Sequence, residues 1–291
     1  MAGRSMISLG GQCWVRKLIT TCYPDQEGQT GVFDWLGTTP SMVAHILSDD
    51  FQTLCNPDMY RPVGKKSGHF QNRFYEHQLR NQLNHFRLSI TDMGLDDGVF
   101  SADLPPLFRH NTEEGVQAMC ETIRRRAERM DSLLLSWDFK VLVWGVAIPY
   151  NHYIFAKQRQ VSIEEILQVE LRILFECLIN LRHVENFCLV GLIVIHNVPE
   201  EGMVVDKVYA VSEPIRDTYV TMKRCAVTSQ LHGAKWTGWH WAVEQSRICS
   251  FLDSCEDLMC ACQAPSPSSV PPTKLAAQSS QYALVSQTLW R

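Results

Sequence analysis

Lys140-Val141-Leu142-Val143-Trp144-Gly145-Val146-Ala147-Ile148 is one continuous apolar run, and Phe187-Cys188-Leu189-Val190-Gly191-Leu192-Ile193-Val194-Ile195 is a second. Neither alternates apolar with polar residues, so neither leaves a face for water; each reads as a strand covered on both sides. Amphipathic segments of helical period lie before and between them. Over 112–135 apolar side chains recur at Val116, Met119, Cys120, Ile123, Ala127, Met130 and Leu134, with Thr112 as cap and Glu113 and Glu114 in the first turn. Over 162–182 a second helix is expected, with Ser162 and Glu165 as its capping box. Fully apolar strands alternating with such helices predict an α/β fold, with a mostly parallel central sheet flanked by helices.

Further out the signals shorten. Met6-Ile7-Ser8-Leu9 is a brief apolar run stopped by Gly10-Gly11, and helix-compatible residues follow over 13–20. A short helix is expected over 41–47, capped by Thr39 or Ser41. Between 56 and 110, Pro57, Pro62, Gly64, Gly68, Gly94, Gly98, Pro105 and Pro106 interrupt every pattern, leaving one helical stretch over 77–88. A shorter strand over 207–211 and a helix over 236–252 complete the pattern. Trp236, Trp239, His240 and Trp241 on that helix read as a face packed on the core. From 264 onward Pro, Ser, Gln and Ala dominate, so 1–263 is expected to be a single domain and 264–291 a disordered tail.

The chain has 291 residues, 45% of them apolar, which is enough to bury a sizeable core. A net charge of -4 with 20% charged residues gives no electrostatic footprint for nucleic acid. No stretch near Met1 resembles a signal peptide. The longest apolar run falls far short of the roughly 20 residues that span a bilayer, so a soluble, cytoplasmic protein without a membrane partner is expected. Eleven cysteines then read as reduced thiols, with Cys177 and Cys188 as small core hydrophobes. Cys249, Cys255, Cys260 and Cys262 lack the paired spacing of structural zinc, so no metal is expected.

Cys13 stands where a strand passes through two glycines into a helix. Catalytic groups and ligands gather at the carboxyl ends of strands in such sheets. Unpaired N–H groups and the helix dipole favour an anion there, so a thiol in the first turn has its thiolate stabilised. The same amides can hold the oxyanion of an acyl intermediate. Two other uses of such a turn fail on the residues. A tyrosine-phosphatase loop needs Cys-x5-Arg and position 19 is Ile19, while the Gly-x-Gly-x-x-Gly fingerprint and the P-loop lysine are absent, so no cofactor is expected.

Ser8-Leu9-Gly10-Gly11-Gln12-Cys13, then Phe33-Asp34-Trp35-Leu36, then Arg125-Arg126-x-x-Arg129 before an apolar strand, resembles the papain-like cysteine peptidase family, a domain found largely in bacteria. The resemblance covers about residues 5–145 and extends weakly toward 250. It implies a cysteine hydrolase or acyl transferase with Cys13 as nucleophile, and it adds an α+β papain-like arrangement as the alternative fold. The family pattern places a His before the Arg-bearing helix. His110 fits, although Asn111 stands where an acidic residue is common, and His69 and His77 compete. A thiolate needs a base within reach and the base an orienting group; Asp34 and Asn197 are the candidates for the third member. Asp34 is equally suited to capping a turn beside Trp35.

Arg124, Arg125, Arg126 and Arg129 crowd one helix. Such a cluster can hold a phosphate or carboxylate bidentately, but more often forms a solvated face, here paired with Glu121 and Glu128. The resemblance singles out Arg125, Arg126 and Arg129, which join Gly10, Gly11 and Gln12 as candidate ligand-binding residues. Two functions follow: a Cys13-dependent enzyme acting on a small-molecule or peptide substrate, or a module that binds an anionic ligand, such as a nucleotide-sugar or phosphate, at the Gly10-Gly11-Cys13 turn.

Overall fold

The computed structural model describes residues 4–11, 14–24, 31–34, 36–62, 70–75, 107–108, 115–158, 160, 163–200, 203–212 and 223–227. The two apolar runs are adjacent strands, β5 (Phe139–Pro149) and β6 (Phe187–Glu200), paired in parallel from Lys140 opposite Phe187 to Pro149 opposite His196. On the other side of β5 lies β1 (Arg4–Ser8), also parallel, with Ser8 opposite Val143. Val141, Leu142 and Val143 of β5 are sealed from solvent, as an all-apolar strand requires.

The rest of the sheet departs from the expectation of mostly parallel pairing. β7 (Met203–Ser212) returns antiparallel to β6, and β8 (Lys223–Val227) is antiparallel to β7. The order is β1-β5-β6-β7-β8, a mixed α/β sheet whose parallel part is its first three strands. The reason is local. β6 runs on past its apolar stretch, shifts register between Ile195 and Val198, and enters a hairpin too short for a crossover helix. The expected strand over 207–211 is therefore present, as part of that hairpin.

The helices follow their apolar stripes. α1 (Trp14–Cys22) packs on β1 and β5. α2 (Pro40–Ser48) is capped by Thr39, whose side chain accepts the Met42 N–H. A short antiparallel sheet of β2 (Tyr60–Pro62), β3 (Phe70–Asn72) and β4 (Leu107–Phe108) follows. α3 (Gly115–Leu134) buries Met119, Cys120, Ile123, Ala127, Met130 and Leu134, the stripe read from its period. α4 (Tyr150–Gln158) packs on β5 and β6, and α5 (Ile163–Asn180) covers β6 and packs against α2. No helix among the described residues is long and apolar enough to cross a membrane. The expected helices over 77–88 and 236–252, the caps Thr112 and Ser162, and the 264–291 tail lie outside the described residues.

Two buried ionisable side chains tie helices to their neighbours. Lys140 closes the end of α3, its Nζ donating to the carbonyls of Ser136 at 2.6 Å and Asp138 at 2.8 Å. Glu170 of α5 accepts the Ser41 N–H at 2.9 Å, satisfying one of the orphan amides at the start of α2. Burial raises the Glu170 pKa, against the opposing pull of hydrogen bonds from Ser41 and Thr39. The unfolded chain ionises this carboxyl near its ordinary value of 4.5, whereas the fold keeps it protonated to higher pH. Its contribution is therefore complete below that value and is lost as pH rises through the folded pKa. Glu170→Gln keeps an acceptor for Ser41 and removes the titration. Chemical denaturation across pH 4.5–7.5 should show wild type losing stability faster than the variant, by up to about 1.4 kcal/mol per pH unit within the window; parallel curves would remove Glu170 as the cause.

Candidate active site at the carboxyl end of β1

The ladder between β1 and β5 outlasts the strand. Leu9 N–H donates to Val143 O at 2.7 Å, and Gly145 N–H donates to Gly10 O at 3.1 Å. The chain then turns through Gly10 at φ +83° and Gly11 at φ +87°, both in the region L side chains avoid. Gly11 lies flat on β5, where a Cβ would overlap the carbonyl oxygen of Gly145. Gln12 and Cys13 lie outside the described residues, and the chain resumes at Trp14, the first residue of α1.

Thr38 holds the turn from the side. Its Oγ1 accepts the Gly11 N–H at 3.0 Å and donates to Leu9 O at 3.4 Å, while its carbonyl accepts Trp144 Nε1–H at 3.0 Å. Gly10 N–H reaches Ser8 Oγ at 3.3 Å. The amides of both glycines are thus engaged within the fold.

Asp34 sits beneath this turn, 1% exposed. Its Oδ2 accepts the Gly31 N–H at 2.6 Å and lies 3.5 Å from Nε of Arg16, a buried residue of α1. Burial raises the Asp34 pKa, opposed by the Gly31 hydrogen bond, the charge of Arg16, a hydrogen bond from Ser8 and the charge of Arg126. Asp34 therefore does cap a turn, and it also joins the loop before α2 to the first turns of α1.

Of the sequence candidates, the structure gathers Gly10, Gly11 and Asp34, with Arg126 within Coulombic reach of Asp34. Arg125 is exposed and donates to Thr122 Oγ1 at 3.1 Å; Arg129 is exposed. Arg124 donates to Cys55 O at 2.9 Å, so it binds backbone rather than the expected Glu121 or Glu128. Asn197 stands in the bulge of β6. The turn is level with Gly145, which pairs Leu192, so Asn197 lies five residues (197 minus 192), roughly 16 Å, further along a strand two places away. The structure does not bring its backbone to the turn. His110, His69 and His77 lie outside the described residues.

Sequence reading missed Thr38 and Arg16. Thr38 carries no pattern of its own beside the helix-capping Thr39. Arg16 left a signal: a basic residue within the apolar sequence Trp14, Val15, Leu18, Ile19 needs a buried counter-charge.

A groove of about 470 Å3 on another flank of α3, lined by Asp50, Phe51, Cys55, Arg124, Ala127 and Asp131, also presents a thiol. Burial pushes Cys55 up to about 11, so it is protonated and unreactive at neutral pH.

The strain and the contact at the turn are separable by substitution. Gly115 has φ +84° with nothing within 4 Å of an added Cβ, so Gly115→Ala should cost about 1 kcal/mol. Gly11→Ala adds the overlap with Gly145 O and should cost at least about 3 kcal/mol in denaturant titration; equal losses would show that Gly11 is not pressed on β5. Comparison of the chain with protein-family models, with curated proteins and with solved structures finds no match in any of the three.

Proposed function

We propose that this chain is a cysteine-dependent hydrolase or acyl transferase, with Cys13 as nucleophile and His110 as general base, after the pattern of the papain-like cysteine peptidase family that its motifs resemble. The observation that carries this reading is the turn at the end of β1. Thr38 and Gly145 pin it rigidly, and it delivers the chain into the start of α1 with Arg16 and Asp34 fixed behind it. A nucleophile needs such a held position, because reactivity falls steeply with misplacement.

In this reading His110 takes the thiol proton and the thiolate attacks the acyl carbonyl carbon. The new C–S bond replaces the bond to the leaving group, which departs with the proton from the imidazolium. Water, activated by the same imidazole, then cleaves the thioester, releasing the acid and restoring the thiol. An amine or alcohol in place of water makes the reaction a transfer. Because the amides of Gly10 and Gly11 are engaged by Ser8 and Thr38, the oxyanion draws its donors from the residues after Gly11. Of the two orienting candidates, Asp34 is the one near the turn. The reading carries with it a reducing compartment such as the cytoplasm.

Iodoacetamide at pH 7, followed by site-resolved mass spectrometry, tests it. Cys13 is expected to alkylate at least about tenfold faster than Cys22 or Cys55, and His110→Ala to slow it. Labelling of Cys13 at the rate of the other two would sink the proposal.

A further inference from the structure

The segments that leave α3 and α5 carry apolar side chains into solvent. Among the described residues the exposed large apolar side chains are Leu135, Trp137, Ile179 and Leu181, and Trp137 is 82% exposed. Exposed apolar residues scattered singly need no explanation, but these fall in two short segments, 135–137 and 179–181, that adjoin at one edge of the fold. Arg182 links the segments through its ion pair with Asp131, and Asn186 Nδ2 donates to Trp137 O at 3.3 Å. The turn that carries Trp137 is held from both sides, because Nζ of the buried Lys140 donates to the carbonyls of Ser136 and Asp138. A tryptophan in solvent on a fixed backbone has the properties of a binding anchor: a large contact area and little backbone freedom left to lose. This edge is the amino end of β5 and β6, whereas the Gly10-Gly11 turn lies at the carboxyl end of β1, so the two surfaces are at opposite ends of the parallel strands.

The charges around these segments select what can cover them. Asp138, Glu176 and Glu185 border them, Glu176 and Glu185 fully exposed, and none of the three is in an ion pair among the described residues. The bases close by are already used: Lys140 is buried on its carbonyls, and Arg182 is paired with Asp50 and Asp131. The rim is therefore acidic. We infer that this edge is a docking surface for a partner protein segment that is apolar and basic, an amphipathic helix with Lys or Arg beside its apolar stripe. Leu135, Trp137 and Leu181 meet the stripe, and Asp138, Glu176 and Glu185 meet the cations. A second copy of this chain fits less well, because a two-fold contact sets the patch against itself and brings like-charged carboxylates together. The same carboxylates repel an anionic lipid surface. Nothing in this inference depends on Cys13.

Two fluorescent helical peptides of roughly 18 residues test this on the full chain, one built of Leu and Lys and the other with Glu in place of every Lys. Fluorescence anisotropy gives their affinities. The Leu/Lys peptide should bind at least about tenfold more tightly than the Leu/Glu peptide at low ionic strength, and added salt should narrow the difference. Trp137→Ala should weaken the Leu/Lys peptide by at least about tenfold, with Leu181→Ser acting in the same direction. Glu176→Gln combined with Glu185→Gln should remove most of the discrimination between the peptides. Asp58→Asn combined with Glu121→Gln, the same change of charge placed elsewhere, should leave it intact. All of these side chains are exposed, so the variants should unfold at the wild-type denaturant midpoint. Equal affinity for the two peptides, or binding indifferent to Trp137→Ala, overturns the inference. A wild-type dimer in sedimentation that Trp137→Ala makes monomeric also overturns it, giving the surface to a second copy. Co-sedimentation with phosphatidylcholine vesicles that the same variant abolishes overturns it in favour of a membrane.

Discussion

The parallel pairing of β1 with β5 constrains everything built at this end of the sheet. Because the ladder continues through Leu9 and Gly10, the chain stays bound to β5 until it has passed the strand's end, and must then reverse within two residues. Only residues without a Cβ accept positive φ and backbone contact together, which is what Gly10 and Gly11 supply. Thr38 adds the lateral hold through one hydroxyl that both accepts and donates. The turn is thereby held on β5 by backbone contact and by the Thr38 hydroxyl, and the Arg16–Asp34 pair ties α1 to the loop before α2.

Charged groups placed inside the protein do a different task. Lys140, Glu170 and Asp34 are all buried, and each is met by backbone groups that would otherwise be orphaned. Arg182 joins the end of α5 to Asp50 after α2 and Asp131 of α3, and its pKa is raised because those two carboxylates outweigh the cost of burial. Desolvation offsets most of what such contacts gain, so their value lies in registry: each is satisfied in one arrangement of helices and costly in any other. The Ser41–Glu170 hydrogen bond adds a directional contact to the packing of α2 on α5.

The same division explains what the sequence revealed. β5, β6, α3 and α5 were legible because burial on one stripe or on both faces writes a period into the residues, and Met119 to Leu134 carry it plainly. The direction of β7 was not legible, since an apolar run does not say which neighbour it pairs with. β2, β3 and β4 are too short for a period to register, and α4 mixes polar and apolar positions without one. At the site, the glycines and Asp34 were visible because their residue types are unusual for their surroundings. The Thr38 clip was not, because it joins residues 27 and 29 positions apart through an ordinary threonine. Asn197 was suggested by its place at a strand's end, but strand ends differ in level, and only the register of β5 with β6 exposes that difference.

Thiol chemistry is where the fold's electrostatics bear most directly on function. Cys55, Cys120 and Cys177 lie in the core, and burial pushes each of them up to about 11. At neutral pH such a thiol is ionised in about one molecule in ten thousand, so none of these serves as a nucleophile. Arg124 is close enough to lower both Cys55 and Cys120, and its charge does not overcome their desolvation. At Cys55 and Cys120 a nearby cation does not offset burial. What a reactive thiol needs is a position out of the core with donors that stabilise its anion, and the residues entering α1 after the Gly10-Gly11 turn are where the sequence supplies a cysteine at a helix start. The contrast among these core thiols makes burial, rather than the number of arginines nearby, the property that sets their protonation.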